Sequence, residues 1–179
     1  MVSFPHFLAA VVFSSSIVTT ELALAGQAER LPPEHQCLAK AYVLDLSQKG
    51  LNVRQKPNLS GKILERLPKN TEVNVLGMQG QWLLISVIAP TAQKVAFRDE
   101  GWVYSSLLGV SSTGYGKKSV SLYSQPSFRS RVVANIPPNS SNIILGCSGK
   151  WLKVKTQNHR QSGWLEPNQQ CAAAYTTCS

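Results

Sequence analysis

The sequence predicts an all-β protein: two small, similar barrels in tandem. Three observations carry this. A segment is written twice, at 51–85 and again at 120–154, and the two align without a gap. Short runs of Val, Ile and Leu alternate with Pro, Gly, Asn and Ser in both copies, as strands and turns do. No stretch after residue 25 has helical periodicity. Hydrophobic residues make up 43% of 179, enough to build a packed core in each of two small domains.

The first 25 residues stand apart. They contain no Lys or Arg and one acid, Glu21. An apolar run from Phe7 to Val18 is interrupted only by three serines, and the segment closes on Ala23-Leu24-Ala25. Such a run is short for a membrane span and ends on the small-x-small pattern of a cleavage site. Residues 1–25 are therefore read as a cleaved secretory signal peptide, with an uncleaved anchor as the alternative. Export makes the mature chain periplasmic or secreted, with no stable membrane insertion after cleavage. Residues 26–40, with Pro32-Pro33 and mixed charge, read as a flexible lead-in.

Copy one spans 41–109 and copy two 119–171; a Gly- and Ser-rich linker, 110–118, lies between them and a tail, 172–179, follows. Eight positions are identical across the repeat: Pro57/Pro126, Pro68/Pro137, Asn70/Asn139, Leu76/Leu145, Gly77/Gly146, Gly80/Gly149, Trp82/Trp151 and Leu83/Leu152. LPKNTEV and IPPNSSN read as turns entering a strand. In LGMQGQW and LGCSGKW two glycines bracket a tight hairpin, where positive φ is often needed. Both copies then resume with Gly-Trp, at 101–102 and 163–164, after a loop seven residues longer in copy one. A small barrel is the natural closure, since it removes exposed strand edges.

The ordered set LNVRQKPN, ILERLPKNTEV, GQWLLI and GWVYSSLL resembles the bacterial SH3 (SH3b) family. VSLYSQPS, VVANIPPNS, GKWLKV and GWLEPN repeat that order. The second copy departs at its start, where SLYSQP replaces NVRQKP, and this bears on the shape of its first loop. The resemblance implies two SH3-like barrels and a place in the cell envelope, with peptidoglycan or its peptides as ligand. It implies a binding module rather than a catalyst.

Strand alternation assigns faces. In WLKV, Leu152 and Val154 share one face while Trp151 and Lys153 share the other, and the lysine marks the wet side. By the same rule Trp82, Leu84, Trp102, Tyr104, Trp164 and Glu166 face outward. The longer loop 86–100 is the expected cover for Trp82 and Leu84. In eukaryotic SH3 domains, which these copies more loosely resemble, aromatic residues at such places line a peptide groove. The candidate ligand-binding residues are therefore Trp82, Trp102 and Tyr104 on copy one, and Trp151, Lys153 and Trp164 on copy two. The competing reading packs these tryptophans against loops or the other copy.

Net charge is +9, and it is uneven: residues 26–109 hold ten Lys and Arg against seven acids, residues 110–179 eight against one. A basic second half favours anionic partners such as a cell-wall polymer or peptide. An envelope protein held in a scaffold role is the alternative partner; nucleic acid conflicts with export. Four cysteines, Cys37, Cys147, Cys171 and Cys178, fit two disulfides in an exported chain, with three pairings open. No CxxC pair or Cys–His ligand spacing suggests a metal, and no cofactor motif is present. There is no GxSxG, no Cys–His set and no phosphate loop, so the chain reads as non-catalytic.

Overall fold

The computed structural model describes residues 31–172 apart from 46, 48, 89–96, 98, 115 and 117. The proposed signal peptide, residues 26–30 of the lead-in and nearly all of the tail lie outside the described residues. Leu31 onward forms one unit. Its thirteen strands join into one hydrogen-bonded sheet that curls into two SH3-like lobes, with no α-helix among the described residues.

Copy one is built from β1 (Gln36–Val43), β2 (Leu51–Arg54), β3 (Ile63–Leu67), β4 (Glu72–Gln79), β5 (Trp82–Val87), β6 (Glu100–Tyr104) and β7 (Leu108–Ser112). Copy two continues with β8 (Val120–Tyr123), β9 (Val132–Ile136), β10 (Ser141–Ser148), β11 (Trp151–Thr156), β12 (Ser162–Leu165) and β13 (Gln170–Cys171). The strand order is β3-β2-β6-β5-β4-β1-β7-β10-β11-β12-β8-β9, with β13 also on β7. Each copy pairs its strands in the same way: β4 with β5, β5 with β6 and β6 with β2 become β10 with β11, β11 with β12 and β12 with β8.

The repeat overlaps itself at β7. In copy one, β1 pairs with β4 and with β7, at Tyr42↔Gly109 and Val43↔Leu108. In copy two, β7 pairs with β10 and with β13, at Ser111↔Cys171 and Ser112↔Gln170. So β7 closes the first copy and opens the second. Residues 110–118 are therefore not simply a linker. Val110 is fully buried in β7, and Ser112 is buried with its hydroxyl donating to Pro137 C=O at 3.0 Å. Just before this segment, glycine suits position 109 because Gly109 lies against the Tyr42 ring, where an added Cβ would sit 3.0 Å from the ring edge. The Tyr42 hydroxyl reaches Ser111 Oγ at 3.1 Å and Ser141 Oγ at 2.6 Å, tying β1 to the second copy.

The lead-in is corrected in the same region. Gln36–Lys40 are not a free segment but the first half of β1, opposite Gly77 to Asn74 of β4. Cys37 is buried and forms a disulfide with Cys147 of β10, across 110 residues of chain. Beside it Leu38 N–H donates to Gly149 C=O at 2.8 Å and Gly149 N–H to Gln36 C=O at 3.1 Å. Of the three pairings the structure thus contains one that spans the two copies. Cys171 is disulfide-bonded as well, and the fourth candidate, Cys178, lies outside the described residues.

The repeated residues acquire physical reasons. Asn70 and Asn139 hold φ of 66° and 53°, a conformation asparagine tolerates better than most side chains. Gly80 and Gly149, at φ 59° and 53°, take the first place of a two-residue hairpin loop. The other glycine of each bracketing pair has a different task, because Gly77 and Gly146 sit at β-bulges rather than in the turn. The Gly of each Gly-Trp pair is required by packing. A Cβ on Gly163 would fall 2.8 Å from Leu122 Cβ and 3.0 Å from Tyr123 C=O, and one on Gly101 would meet Val53. Gly163→Ala should therefore force β12 from β8 and cost about 1–3 kcal/mol, read as a lower urea midpoint. An unchanged midpoint would show that this contact gives way freely.

Most strands bury one face; β3 and β9 bury only their last residues, Leu67 and Ile136. Val53, Leu83, Ile85 and Val103 of copy one and Leu122, Leu152, Val154 and Leu165 of copy two are fully inaccessible, in one core that runs through both copies. Phe97, the one described aromatic of the long loop 86–100, is also buried in it.

Candidate functional site: the outer aromatic faces

The outer face is set by alternation. With Leu83, Ile85 and Val103 inward, Trp82, Leu84, Trp102 and Tyr104 emerge half-buried on the opposite side of β5 and β6. Copy two repeats this: Trp151 and Trp164 are half-buried and Lys153 is exposed, while Leu152, Val154 and Leu165 are inside. All six candidate ligand-binding residues therefore lie on the non-core side of the wall. Most of loop 86–100, the expected cover for Trp82 and Leu84, lies outside the described residues.

Strand register brings them into rows. In copy one, Leu84 stands opposite Trp102 and Trp102 opposite Arg54. In copy two the same row reads Lys153, Trp164, Tyr123. A second row pairs Trp82 with Tyr104, whose rings meet edge-to-face at 5.6 Å. The Tyr104 hydroxyl donates to Gln81 Oε1, fixing that ring at the hairpin.

Copy two gathers more rings than copy one. Trp151 lies 5.6 Å from Tyr123 at 89° and 4.9 Å from Phe128 at 60°, and Tyr123 also meets Phe128 at 6.4 Å. Three steeply inclined rings make a cup rather than a flat platform. Phe128 keeps 61% of its surface exposed, a large apolar area left in water.

Sequence reasoning missed Tyr123 and Phe128, and the reason is instructive. Tyr123 replaces Arg54, whose guanidinium is occupied in copy one: Nη1 donates to Leu59 C=O at 2.9 Å and to Gly61 C=O at 2.8 Å, clamping the loop 55–61. In copy two the clamp moves to Ser130, where copy one has Gly61. Its Oγ lies 2.9 Å from Ser127 C=O and 3.1 Å from Gln125 C=O, which share its one proton, and it accepts from Gln125 N–H at 3.2 Å. Position 123 is thereby freed for a ring. The signal was the departure SLYSQP itself, together with alternation, since Leu122 points inward and its neighbour must point out.

The two faces differ in charge. Around the copy-two cup, Arg129, Arg131 and Lys153 are exposed and Glu166 is the one acid of the second half. Copy one carries Asp99 and Glu100 beside its β6, both exposed. Among the described residues no three His, Cys, Asp or Glu gather as a metal site would require.

The model of the bacterial SH3 domain matches twice, over residues 49–109 and 118–169, which is well over half of the chain. No curated protein matches. Among solved structures, NlpC2 from Trichomonas vaginalis is similar at 15% identity and a TM-score of 0.32, covering 79% of this chain and 49% of that one. NlpC1 from Trichomonas vaginalis is similar at 15% identity and a TM-score of 0.31, covering 79% of this chain and 47% of that one. An NlpC/P60 family protein from Bacillus cereus is similar at 15% identity and a TM-score of 0.31, covering 73% and 55% respectively. The chain thus spans about half the length of the structures it matches. At these scores the likeness adds nothing to the assignment, which rests on the two domain matches and the repeated strand order. The chain belongs to the bacterial SH3 domain family and carries two copies of its domain.

Proposed function

We propose that this protein is an exported, non-catalytic binding protein of the bacterial cell envelope, and that it holds peptidoglycan or its peptides through the outer aromatic face of copy two. The observation that carries this reading is the cup of half-buried Trp151 and Tyr123 with exposed Phe128, on the same outer side as Lys153. Aromatic faces bury much area at small entropic cost, and surrounding cations draw anionic polymers. The disulfides of Cys37–Cys147 and Cys171 support an oxidising compartment. No helix among the described residues is long and apolar enough to cross a membrane.

The test is co-sedimentation of residues 26–179 with purified sacculi over a salt series, beside a Trp151→Ala Trp164→Ala variant. Both tryptophans are half-buried, so the variant should stay folded, with a loss below the ~3–5 kcal/mol of a core tryptophan. Pelleting should fall with salt and fall at least tenfold in the variant. Undiminished pelleting of a folded variant would remove copy two's face from the reading.

A second reading is favoured by one observation. Leu59, Ile63 and Leu64 of copy one are exposed apolar residues grouped on one loop and strand, and they match Phe128, Val132 and Val133 of copy two. Exposed apolar residues of this kind suit a protein partner, and a scaffold for an envelope protein would bind it while leaving bare wall unbound.

A further inference from the structure

A second concave surface lies at the junction of the copies, and none of its described lining residues is a tryptophan. β1 and β13 both use the same edge of β7: β1 takes Leu108 and Gly109, β13 takes Ser111 and Ser112. Two strands cannot share one edge without diverging. The split leaves a groove of about 290 Å³, lined by Leu38, Lys40, Lys150, Pro167, Gln170 and Ala172. That volume is at the small end for ligand pockets.

The walls are fixed. Cys37–Cys147 ties β1 to β10, with the two Cα atoms 5.9 Å apart. Leu38 N–H is held by Gly149 C=O, one residue from Lys150. Gln170 Nε2 donates to Lys150 C=O at 2.8 Å and to Leu165 C=O at 3.0 Å, so the opposite wall is braced from within.

Its chemistry is one-sided. Lys40 and Lys150 are both exposed, and no carboxylate is among the described residues that line the groove. Leu38, alternating outward from Cys37 and Ala39, keeps 70% of its surface in water. The main chain adds a third element. In an antiparallel pair, successive residues turn their N–H and C=O to opposite neighbours. Val43 N–H donates to Thr71 C=O on the β4 side, and Leu44 N–H to Leu107 C=O on the other. Lys40 shares the parity of Leu44, so its N–H and C=O face the groove, where β1 has left β7 and no strand among the described residues replaces it.

Two ammonium groups, an outward main-chain donor and acceptor, and a short apolar wall form one set. We propose that this groove binds the C-terminal carboxylate of a peptide that ends in small apolar residues. The carboxylate lies between Lys40 and Lys150. The peptide backbone adds a short strand to β1 at Lys40, and its last side chain rests on Leu38 and Pro167. Strand addition at an open edge supplies affinity through main-chain hydrogen bonds, and captured termini are a known use of such edges. The small volume restricts the side chains that fit.

The test is an NMR titration of the ¹⁵N-labelled full chain with N-acetyl-alanyl-alanine and, separately, with its C-terminal amide. The acid should shift the amides of Lys40, Gly149, Lys150 and Gln170, and bind at least tenfold more tightly than the amide. Lys40→Met Lys150→Met keeps the aliphatic stems, leaves the spectrum folded and should abolish that preference. Cys37→Ala Cys147→Ala should weaken binding severalfold by freeing β1. Equal shifts from acid and amide would overturn the proposal, as would no shift at millimolar peptide. Shifts centred on Trp151 would assign the peptide to the aromatic face instead. Inorganic phosphate displacing the peptide at equal concentration would make this a general anion site and overturn the peptide assignment.

Discussion

Cys37→Ala Cys147→Ala is expected to lose about 4–5 kcal/mol of stability in urea unfolding. The bridge closes a loop with a sequence separation of 110, and loop-closure entropy grows with the logarithm of loop length. A loop this long is near the upper end of what a single disulfide contributes. Hydrogen exchange should show where the loss acts first. Leu38 N–H and Gly149 N–H, bonded across the copies, should lose protection beyond the global loss. Val43 N–H, bonded to Thr71 C=O within copy one, should track the global stability. A loss below 1 kcal/mol would show that β1 is held by its strand pairing and hydrogen bonds without need of the bridge.

Val110→Asp is expected to cost at least about 4 kcal/mol, and to unfold both copies rather than one. Val110 is fully buried, and β7 serves two lobes at once, pairing with β1 and β13 on one edge and β10 on the other. A carboxylate there has no partner, and burying an unpaired charge is among the few changes that cost so much. The joint effect can be read with one tryptophan reporting on each copy: Trp82 in one variant, Trp151 in another, the remaining tryptophans replaced by phenylalanine. Both should report the same midpoint, in the parent and in Val110→Asp. Separate midpoints would mean that the copies fold independently in spite of the shared strand.

These two expectations bear on function because they fix how the candidate surfaces are held. If the copies unfold as one, the copy-two cup and the groove at the junction are parts of a single rigid body. A ligand that touches either one then meets a preformed surface and spends little of its affinity on ordering the protein.

The sequence by itself determined the repeat, the strand class and the facing of every candidate residue. Alternation has a period of two wherever one side is buried. Leu152 and Val154 inward therefore force Trp151 and Lys153 outward, whatever the rest of the fold does. The turn residues were equally legible, since Gly80, Gly149, Asn70 and Asn139 hold backbone conformations that few side chains adopt. Other features were decided only by tertiary structure. The segment 110–118 has the composition of a linker, and its first three residues become a central strand because two edges compete for them. Gln36–Lys40 reads as a lead-in and becomes half of β1 because a distant cysteine and the edge of β4 hold it there. Tyr123 and Phe128 join Trp151 because a serine in the loop took over the clamp that an arginine supplies in the other copy. In each case the deciding contact spans residues far apart in the chain or compares one copy with the other. Local pattern cannot encode which of several equivalent edges a strand will take; that choice belongs to the packed whole.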